Sequence, residues 1–177
     1  DMASMFVSCD VFNQALGFDT ASVTSMTYAF QHASAFDRPV AFDTARVTVM
    51  TGMFNNAQMY NQPLTFDTSS GTAMVSMFND AYVFNRLARA SSRAAPALAR
   101  LAATAACHLR SPLNFDTSAV KDFWRMLQYT QNFDQPLAWD TASVTAFFRM
   151  FYFATTFDQP LDFNCNSATA MSYMFDD

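Results

Sequence analysis

The stretch that decides the fold is Trp139 to Asp162, which reads WDTASVTAFFRMFYFATTFDQPLD. The same 24-residue pattern occurs at Phe18 to Ala41 (FDTASVTSMTYAFQHASAFDRPVA) and at Phe42 to Thr65 (FDTARVTVMTGMFNNAQMYNQPLT). A fixed period of this length is the signature of a repeat protein. We number the positions within each unit from its first aromatic residue. Successive units begin 24 residues apart, with one interval of 49, at Phe18, Phe42, Phe66, Phe115, Trp139 and Phe163.

The apolar positions within the unit predict its local structure. Positions 6, 9, 12, 13 and 16 are three or four residues apart, which is typical of one face of a helix. Positions 23 and 1 are two apart, as in Leu64 and Phe66, which indicates a short strand. The Asp-Thr pair that follows, as in Asp43-Thr44, favours the start of a helix because these side chains accept free N–H groups of a first turn.

Each unit is therefore predicted to contain a short strand, a capped turn and about three helical turns. A single unit cannot bury its apolar face, whereas stacked units can. We predict an α/β solenoid of strand–turn–helix units with a parallel sheet on one face, and we treat residues 1–177 as a single domain. Because the sequence starts and stops within a unit, we expect a fragment that is open at both ends and flanked by further repeats.

Residues 86–111 interrupt the repeat with an Ala/Arg-rich sequence, RLARASSRAAPALARLAATAACHLRS. The segment holds five of the ten basic residues and none of the acidic ones. Three interpretations stay open: non-coding sequence translated by a faulty gene model, an inserted loop with a helix from Pro96 to Leu109, or a degenerate extra unit. An exposed basic helix of this kind would suit an acidic partner or membrane surface.

Composition excludes several functions. The net charge of −5 argues against nucleic-acid binding, and no apolar run is long enough to span a membrane. His32 and His108 are the only histidines, there are only three glycines, and the three cysteines are far apart. We therefore expect no catalytic centre, no cofactor and no disulfide framework, and we predict that the protein is not an enzyme.

The recurring polar positions offer two ligand hypotheses beside a capping role. Aspartates at position 2 would meet the oxygen preference of Ca²⁺ if they lined up across stacked units. Threonines at positions 3 and 7 form regular rows of the kind that could bind ice. The predicted calcium row consists of Asp19, Asp43, Asp67, Asp116 and Asp140.

The positions that vary between units are candidates for a recognition surface. Positions 10, 11, 14, 15, 17 and 18 differ most between units. We therefore predict a non-catalytic module that binds another protein or a glycan, and the calcium or ice hypothesis is its alternative. The candidate binding residues are Tyr28, Gln31, Asn55, Tyr82, Arg125, Tyr129, Arg149 and Tyr152.

The consensus F-D-T-S/A-x-V-T-x-M-x-x-M-F-x-x-A-x-x-F-N/D-Q-P-L resembles that of the BspA-type leucine-rich-repeat surface proteins, which were first grouped as a domain of unknown function in mycoplasma lipoproteins. The resemblance covers the chain outside residues 86–111. It implies a leucine-rich-repeat-like fold on a secreted or cell-surface protein that is used for adhesion or protein binding. It carries over no catalytic residues.

Overall fold

The computed structural model describes residues 1–84 and 113–176, and the predicted insertion at 86–111 lies outside these ranges. Within them there is no α-helix and no strand longer than one residue. The predicted α/β solenoid of strand–turn–helix units is therefore wrong. The regular backbone pairing consists of isolated parallel bridges, which join Ser25 to Val49, Val49 to Ala73, Asp122 to Ala146, and Ala146 to Ala170.

Tandem β-turns replace the predicted helix. In the unit that begins at Phe18, the carbonyl groups of positions 9, 11 and 13 each accept the N–H three residues further on at 3.1 Å. Tyr28 and His32, at positions 11 and 15, have φ angles of 55° and 56°, as the third residue of a type II turn requires. The runs of turns repeat with the unit and cover residues 3–8, 27–32, 51–56, 75–80, 124–129, 148–153 and 172–175.

The backbone N–H groups that take no part in these turns donate hydrogen bonds to the next unit. Met26 donates to the carbonyl oxygen of Val49 at 3.0 Å, and Tyr28 donates to that of Thr51 at 2.8 Å. A helix would direct these same donors to its own carbonyl groups. Because the donors alternate between the turn and the neighbouring unit, the stacked units are joined by the segment that was predicted to be helical.

The spacing of the units gives the physical reason why helices do not form. The ring centroids of Phe30 and Phe54, at position 13 of neighbouring units, are 5.4 Å apart, and those of Phe54 and Phe78 are 5.7 Å apart. Packed helices need axes about 8–10 Å apart. Tandem turns are thin enough to stack at the shorter distance, whereas helices are not.

The predicted strand at positions 23 and 1 is also absent from the described residues, although its burial pattern is present. Leu64 and Phe66 each have 6% of their surface exposed. The units are joined here by side chains, since Thr44 Oγ1 donates to the carbonyl oxygen of Asp67 at 2.9 Å. The alternation of apolar residues thus records which side chains point inward, without a backbone ladder.

Successive described units lie side by side in the order of the chain. This includes the units on either side of the undescribed segment: Thr68 Oγ1 donates to the carbonyl oxygen of Asp116 at 3.1 Å, and Phe78 N donates to Met126 O at 3.0 Å. One apolar core runs through them, built from methionine at positions 9 and 12 and aromatic rings at positions 1, 13 and 19. Among the described residues there is no helix that could cross a membrane.

Candidate functional site

The aspartates at position 2 each stabilise a turn of their own unit. Asp43 Oδ1 accepts the N–H of Ala45 at 3.1 Å, and Asp140 Oδ1 accepts that of Ala142 at 3.0 Å. This is the Asx-turn geometry, so these residues cap turns and not helices. The part of the chain that the structure describes holds no group of three His, Cys, Asp or Glu side chains arranged for a metal ion. The same contact recurs at all five positions of the predicted calcium row: Asp19, Asp43, Asp67, Asp116 and Asp140.

The two rows of threonine have different environments. At position 3 the side chain is buried, and Thr117 Oγ1 donates to the carbonyl oxygen of Asp140 at 2.8 Å. At position 7 it is exposed, and Thr72 Oγ1 donates to the carbonyl oxygen of Thr48 at 3.1 Å. Both rows therefore join neighbouring units through hydroxyl-to-carbonyl hydrogen bonds, and only the row at position 7 faces solvent.

A third polar row, at position 20, fixes the register of the units. Asn61 N donates to Asp37 Oδ1 at 3.0 Å, and Asp158 N donates to Asp134 Oδ1 at 3.1 Å. The carboxylates also accept glutamine side chains, as when Gln159 Nε2 donates to Asp134 Oδ1 at 2.7 Å. This row is structural, as the free exchange of Asn for Asp in the sequence indicates.

A cluster of aromatic and arginine side chains lies across the units that begin at Phe115, Trp139 and Phe163. The Trp124 and Phe148 rings meet edge to face at 5.4 Å, and Phe148 meets Tyr173 in the same way at 5.9 Å. Trp124 is 43% exposed and Phe148 is half-buried, while Tyr173 lies in the last described unit, where the inward-facing Phe175 is also exposed. We call this the aromatic–arginine cluster, and it consists of Trp124, Arg125, Tyr129, Phe148, Arg149, Tyr152, Phe153 and Tyr173.

The two guanidinium groups of this cluster pack against its rings. The Cζ atom of Arg149 lies 4.8 Å from the Tyr152 ring centroid and 5.4 Å from that of Tyr173. Arg125 lies 5.7 Å from the Trp124 ring centroid. Such cation–π contacts stabilise exposed sites by roughly 0.5–1 kcal/mol each and hold the planar head group in place.

Four of the eight predicted binding residues belong to the cluster: Arg125, Tyr129, Arg149 and Tyr152. They come together because positions 11, 14 and 15 all fall on the tandem turns, which present the same positions of every unit to one surface.

The other four lie in earlier units, where the same surface is more polar. Asn79 Nδ2 donates to Asn55 Oδ1 at 3.4 Å, and Tyr82 OH donates to Asp80 Oδ1 at 3.4 Å. Asn56 Nδ2 lies 2.9 Å from His32 Nδ1. The predicted residues in these units share a face with the cluster, but the side-chain contacts here are hydrogen bonds and not ring packing; these residues are Tyr28, Gln31, Asn55 and Tyr82.

Asp80 marks the border between the polar and aromatic parts of this face. Burial raises the pKa of the Asp80 carboxyl group. Hydrogen bonds from Tyr82 and Asn79 and the charges of His32 and Arg125 lower this pKa and offset part of the effect of burial. The carboxylate is thus held by polar neighbours of its own unit, and the charge of Arg125 in the adjoining unit favours its ionised form.

Sequence reasoning missed the other half of the cluster: Trp124, Phe148, Phe153 and Tyr173. A signal was available, since the units that begin at Phe115 and Trp139 have Trp, Tyr or Phe at positions 10 and 15, where the earlier units have none of these residues.

The fold and this surface define the class of protein: a repeat protein of stacked 24-residue units that displays a side-chain cluster across several of them. A family model described as "Mycoplasma protein of unknown function, DUF285" matches residues 1–91 and 102–177, and the chain belongs to this family. The predicted mycoplasma-type family is thus confirmed, whereas the finer BspA-type assignment is not. No curated protein and no solved structure matches the chain.

Proposed function

We propose that the chain is a non-catalytic repeat module that binds another protein or a glycan at a cell surface. The observation that carries this proposal is the aromatic–arginine cluster, in which eight side chains from three units contact one another at the surface, with Trp124 and Tyr173 exposed and the other six half-buried. Tryptophan, tyrosine and arginine are the residue types that contribute most to binding energy at interfaces.

The exposure of these rings supports a binding role over a structural one. Trp124 leaves 43% of its surface in solvent although the core of the same unit is well packed, with Phe123 and Met126 fully buried. Burial of apolar surface is favourable by about 25 cal/mol per Å², so covering the exposed Trp124 indole would contribute to the free energy of binding a partner.

The backbone beneath the cluster supports affinity in a second way. Each tandem turn is closed by its own hydrogen bonds and is also bonded to the next unit, as in Arg125 N to Phe148 O at 3.0 Å and Tyr129 N to Tyr152 O at 2.8 Å. A surface held in this manner loses little conformational entropy when a partner binds.

The finer BspA-type resemblance, and with it a secreted or cell-surface location, belongs to this proposal. It rests on the recurring Asp-Thr, Met-Phe and Gln-Pro-Leu positions of the unit. Antibodies against the chain would test the location: staining of intact cells supports it, and staining only after permeabilisation contradicts it.

The binding proposal is tested with immobilised glycans and protein ligands probed by the purified chain. We expect a ligand whose affinity falls about fivefold or more in Trp124→Ala and in Tyr152→Ala, since both remove rings of the cluster. Met59→Ala is the matched control because Met59 is 54% exposed and lies outside the cluster. Ligands that bind all three variants as well as the parent chain would contradict the proposal.

A further inference from the structure

Arg125 and Arg149 occupy position 11 of neighbouring units and carry charges that the rest of the described chain leaves unpaired. Neither guanidinium makes an ion pair or a hydrogen bond within residues 1–84 and 113–176, and the Nε atom of each is buried without a partner. The surrounding protein is acidic, with a net charge of −5. Two adjacent unpaired cations on such a protein indicate that the surface suits an anion.

Two acidic side chains close to Arg125, one in its own unit and one in the adjoining unit, accept hydrogen bonds from other groups. Asp122 Oδ1 accepts the N–H of Trp124 at 2.7 Å. Asp80 Oδ2 accepts the side-chain amide of Asn79 at 2.8 Å, although its charge still interacts with Arg125 over a longer distance. These contacts leave both guanidinium groups available to an external carboxylate.

The aromatic neighbours fix the orientation of the guanidinium groups. Arg149 lies against three rings, with Cζ to centroid distances of 5.2 Å for Phe148, 4.8 Å for Tyr152 and 5.4 Å for Tyr173. The buried Nε shows that the stem of the side chain is enclosed. A planar guanidinium held in this way presents a rigid pair of donors that matches the geometry of a carboxylate.

We propose that the aromatic–arginine cluster binds an acidic glycan, with the carboxylates of its sugars on Arg125 and Arg149 and the C–H faces of its rings on Trp124 and Tyr173. This inference rests on the proposed function and specifies its ligand class. A sugar acid combines the anion and the flat apolar face within one residue, which matches rings that alternate with cations along the units. The Phe148 ring meets Trp124 and Tyr173 edge to face, at interplanar angles of 78° and 86°, so the sugar faces stack on Trp124 and Tyr173 and not on all three rings in succession.

The test measures binding of the full chain to polygalacturonate and to its methyl ester by calorimetry. Both polymers have the same rings, but only the first has carboxylates. We expect binding to polygalacturonate, at least about fivefold weaker binding to the ester, and a similar loss for Arg149→Met and Arg125→Met. Methionine retains an apolar stem without the charge, and melting curves of each variant verify that the fold is kept.

Three comparisons make the result decisive. Arg149→Lys keeps the charge but not the planar fork, so we expect it to bind more weakly than the parent chain and better than Arg149→Met. Arg46→Met removes an exposed arginine of another unit and should change nothing. Polygalacturonate that binds the Arg125→Met/Arg149→Met double variant undiminished would place the anion site elsewhere and overturn the inference.

Failure of this inference is distinguishable from failure of the proposed function. Equal binding of polygalacturonate and its ester, or tighter binding of polyaspartate than of polygalacturonate, overturns the acidic-glycan assignment. In both cases, a loss of that binding in Trp124→Ala would still support a recognition surface at the cluster. Absence of binding to any ligand through the cluster overturns both proposals.

Discussion

The ring of Tyr28 lies against Gly52 of the neighbouring unit so closely that a Cβ atom added to Gly52 would be 2.4 Å from both Cδ1 and Cε1 of Tyr28. Gly52 also has a φ angle of +58°. Both residues are at position 11, which has positive φ in every described unit, yet the other residues found there all have side chains. The glycine is therefore required by the tyrosine ring, whereas the positive φ alone is tolerated by residues with side chains in the other units.

We predict that Gly52→Ala destabilises the chain by more than the roughly 1–2 kcal/mol that a left-handed backbone costs a residue with a Cβ atom. In a Tyr28→Ser background the cost should fall toward that backbone value, because the overlap with the ring is gone. Serine is a suitable replacement since Ser76 occupies the same position at φ 54°. Urea unfolding of the four chains measures the coupling, and an equal cost in both backgrounds would show that the ring contact is irrelevant.

The buried threonine row gives a second prediction with an internal control. Thr117 is 1% exposed, and its hydroxyl donates to the Asp140 carbonyl at 2.8 Å, so Thr117→Val should cost about 0.5–1.5 kcal/mol of unfolding free energy. Thr20 is 3% exposed, and its buried Oγ1 has no hydrogen-bond partner among the described residues. Thr20→Val should therefore be neutral or stabilising. Similar losses for both variants would argue against the inter-unit hydrogen bond as the cause.

These contacts also show which part of the fold the sequence could predict. The period of 24 residues and the inward positions are visible because they depend only on which residues are apolar. In the unit that begins at Phe42, for example, Val47, Met50, Met53 and Phe54 are all fully buried. Tandem turns place side chains inward every three or four residues, as a helix does, so periodicity could not separate the two.

The information that separates turns from helices lies in the contacts between units. If each unit contained a helix, neighbouring units would have to be farther apart than the 5.2 Å that separates the ring centroids of Phe6 and Phe30. That spacing is set by backbone bonds such as Thr48 N to Thr24 O at 2.9 Å, which join residues far apart in the sequence. Only half of the candidate site was predicted, for the same reason. The sequence of each unit indicates candidate residues, but it does not indicate which residues of neighbouring units contact one another.

The exposed turn at Asp116 predicts an effect on ionisation. Hydrogen bonds from the side chain and then the backbone of Ser118 lower the pKa of the Asp116 carboxyl, and the neighbouring Asp67 carboxylate raises it slightly. We expect Ser118→Ala to raise this pKa and Asp67→Asn to lower it further, as measured by NMR titration.

The sign of the effect on stability follows from the lowered pKa of Asp116. The ionised Asp116 carboxylate stabilises the folded chain above the pKa that this group has in the unfolded chain. This stabilisation is lost as the pH falls through the pKa in the folded chain, so the effect of Ser118→Ala on the free energy of unfolding should disappear at low pH. A pKa for Asp116 that is unchanged in both variants would mean that neither neighbour acts on it.

Tyr60 provides a prediction at alkaline pH. Its side chain is fully buried at position 19, where the other described units have phenylalanine, and its hydroxyl has no partner among the described residues. Removing an unsatisfied buried hydroxyl is favourable, so Tyr60→Phe should be neutral or stabilise the chain by as much as about 1–3 kcal/mol at pH 7. Phe36→Tyr, which introduces such a hydroxyl one unit away, should destabilise it by a similar amount.

The pH dependence separates burial of the hydroxyl from a simple packing effect. Burial, and to a lesser extent the charge of Asp37, raises the pKa of Tyr60 far above its ordinary value of 10.0. As the pH rises, the Tyr60 hydroxyl therefore loses its proton in the unfolded chain before it does so in the folded chain. The free energy of unfolding consequently decreases as the pH rises above 10. The stability advantage of Tyr60→Phe should grow between about pH 9 and 11 in urea unfolding experiments. An advantage that stays constant over this range would show that the Tyr60 hydroxyl ionises as readily in the folded chain as in the unfolded one.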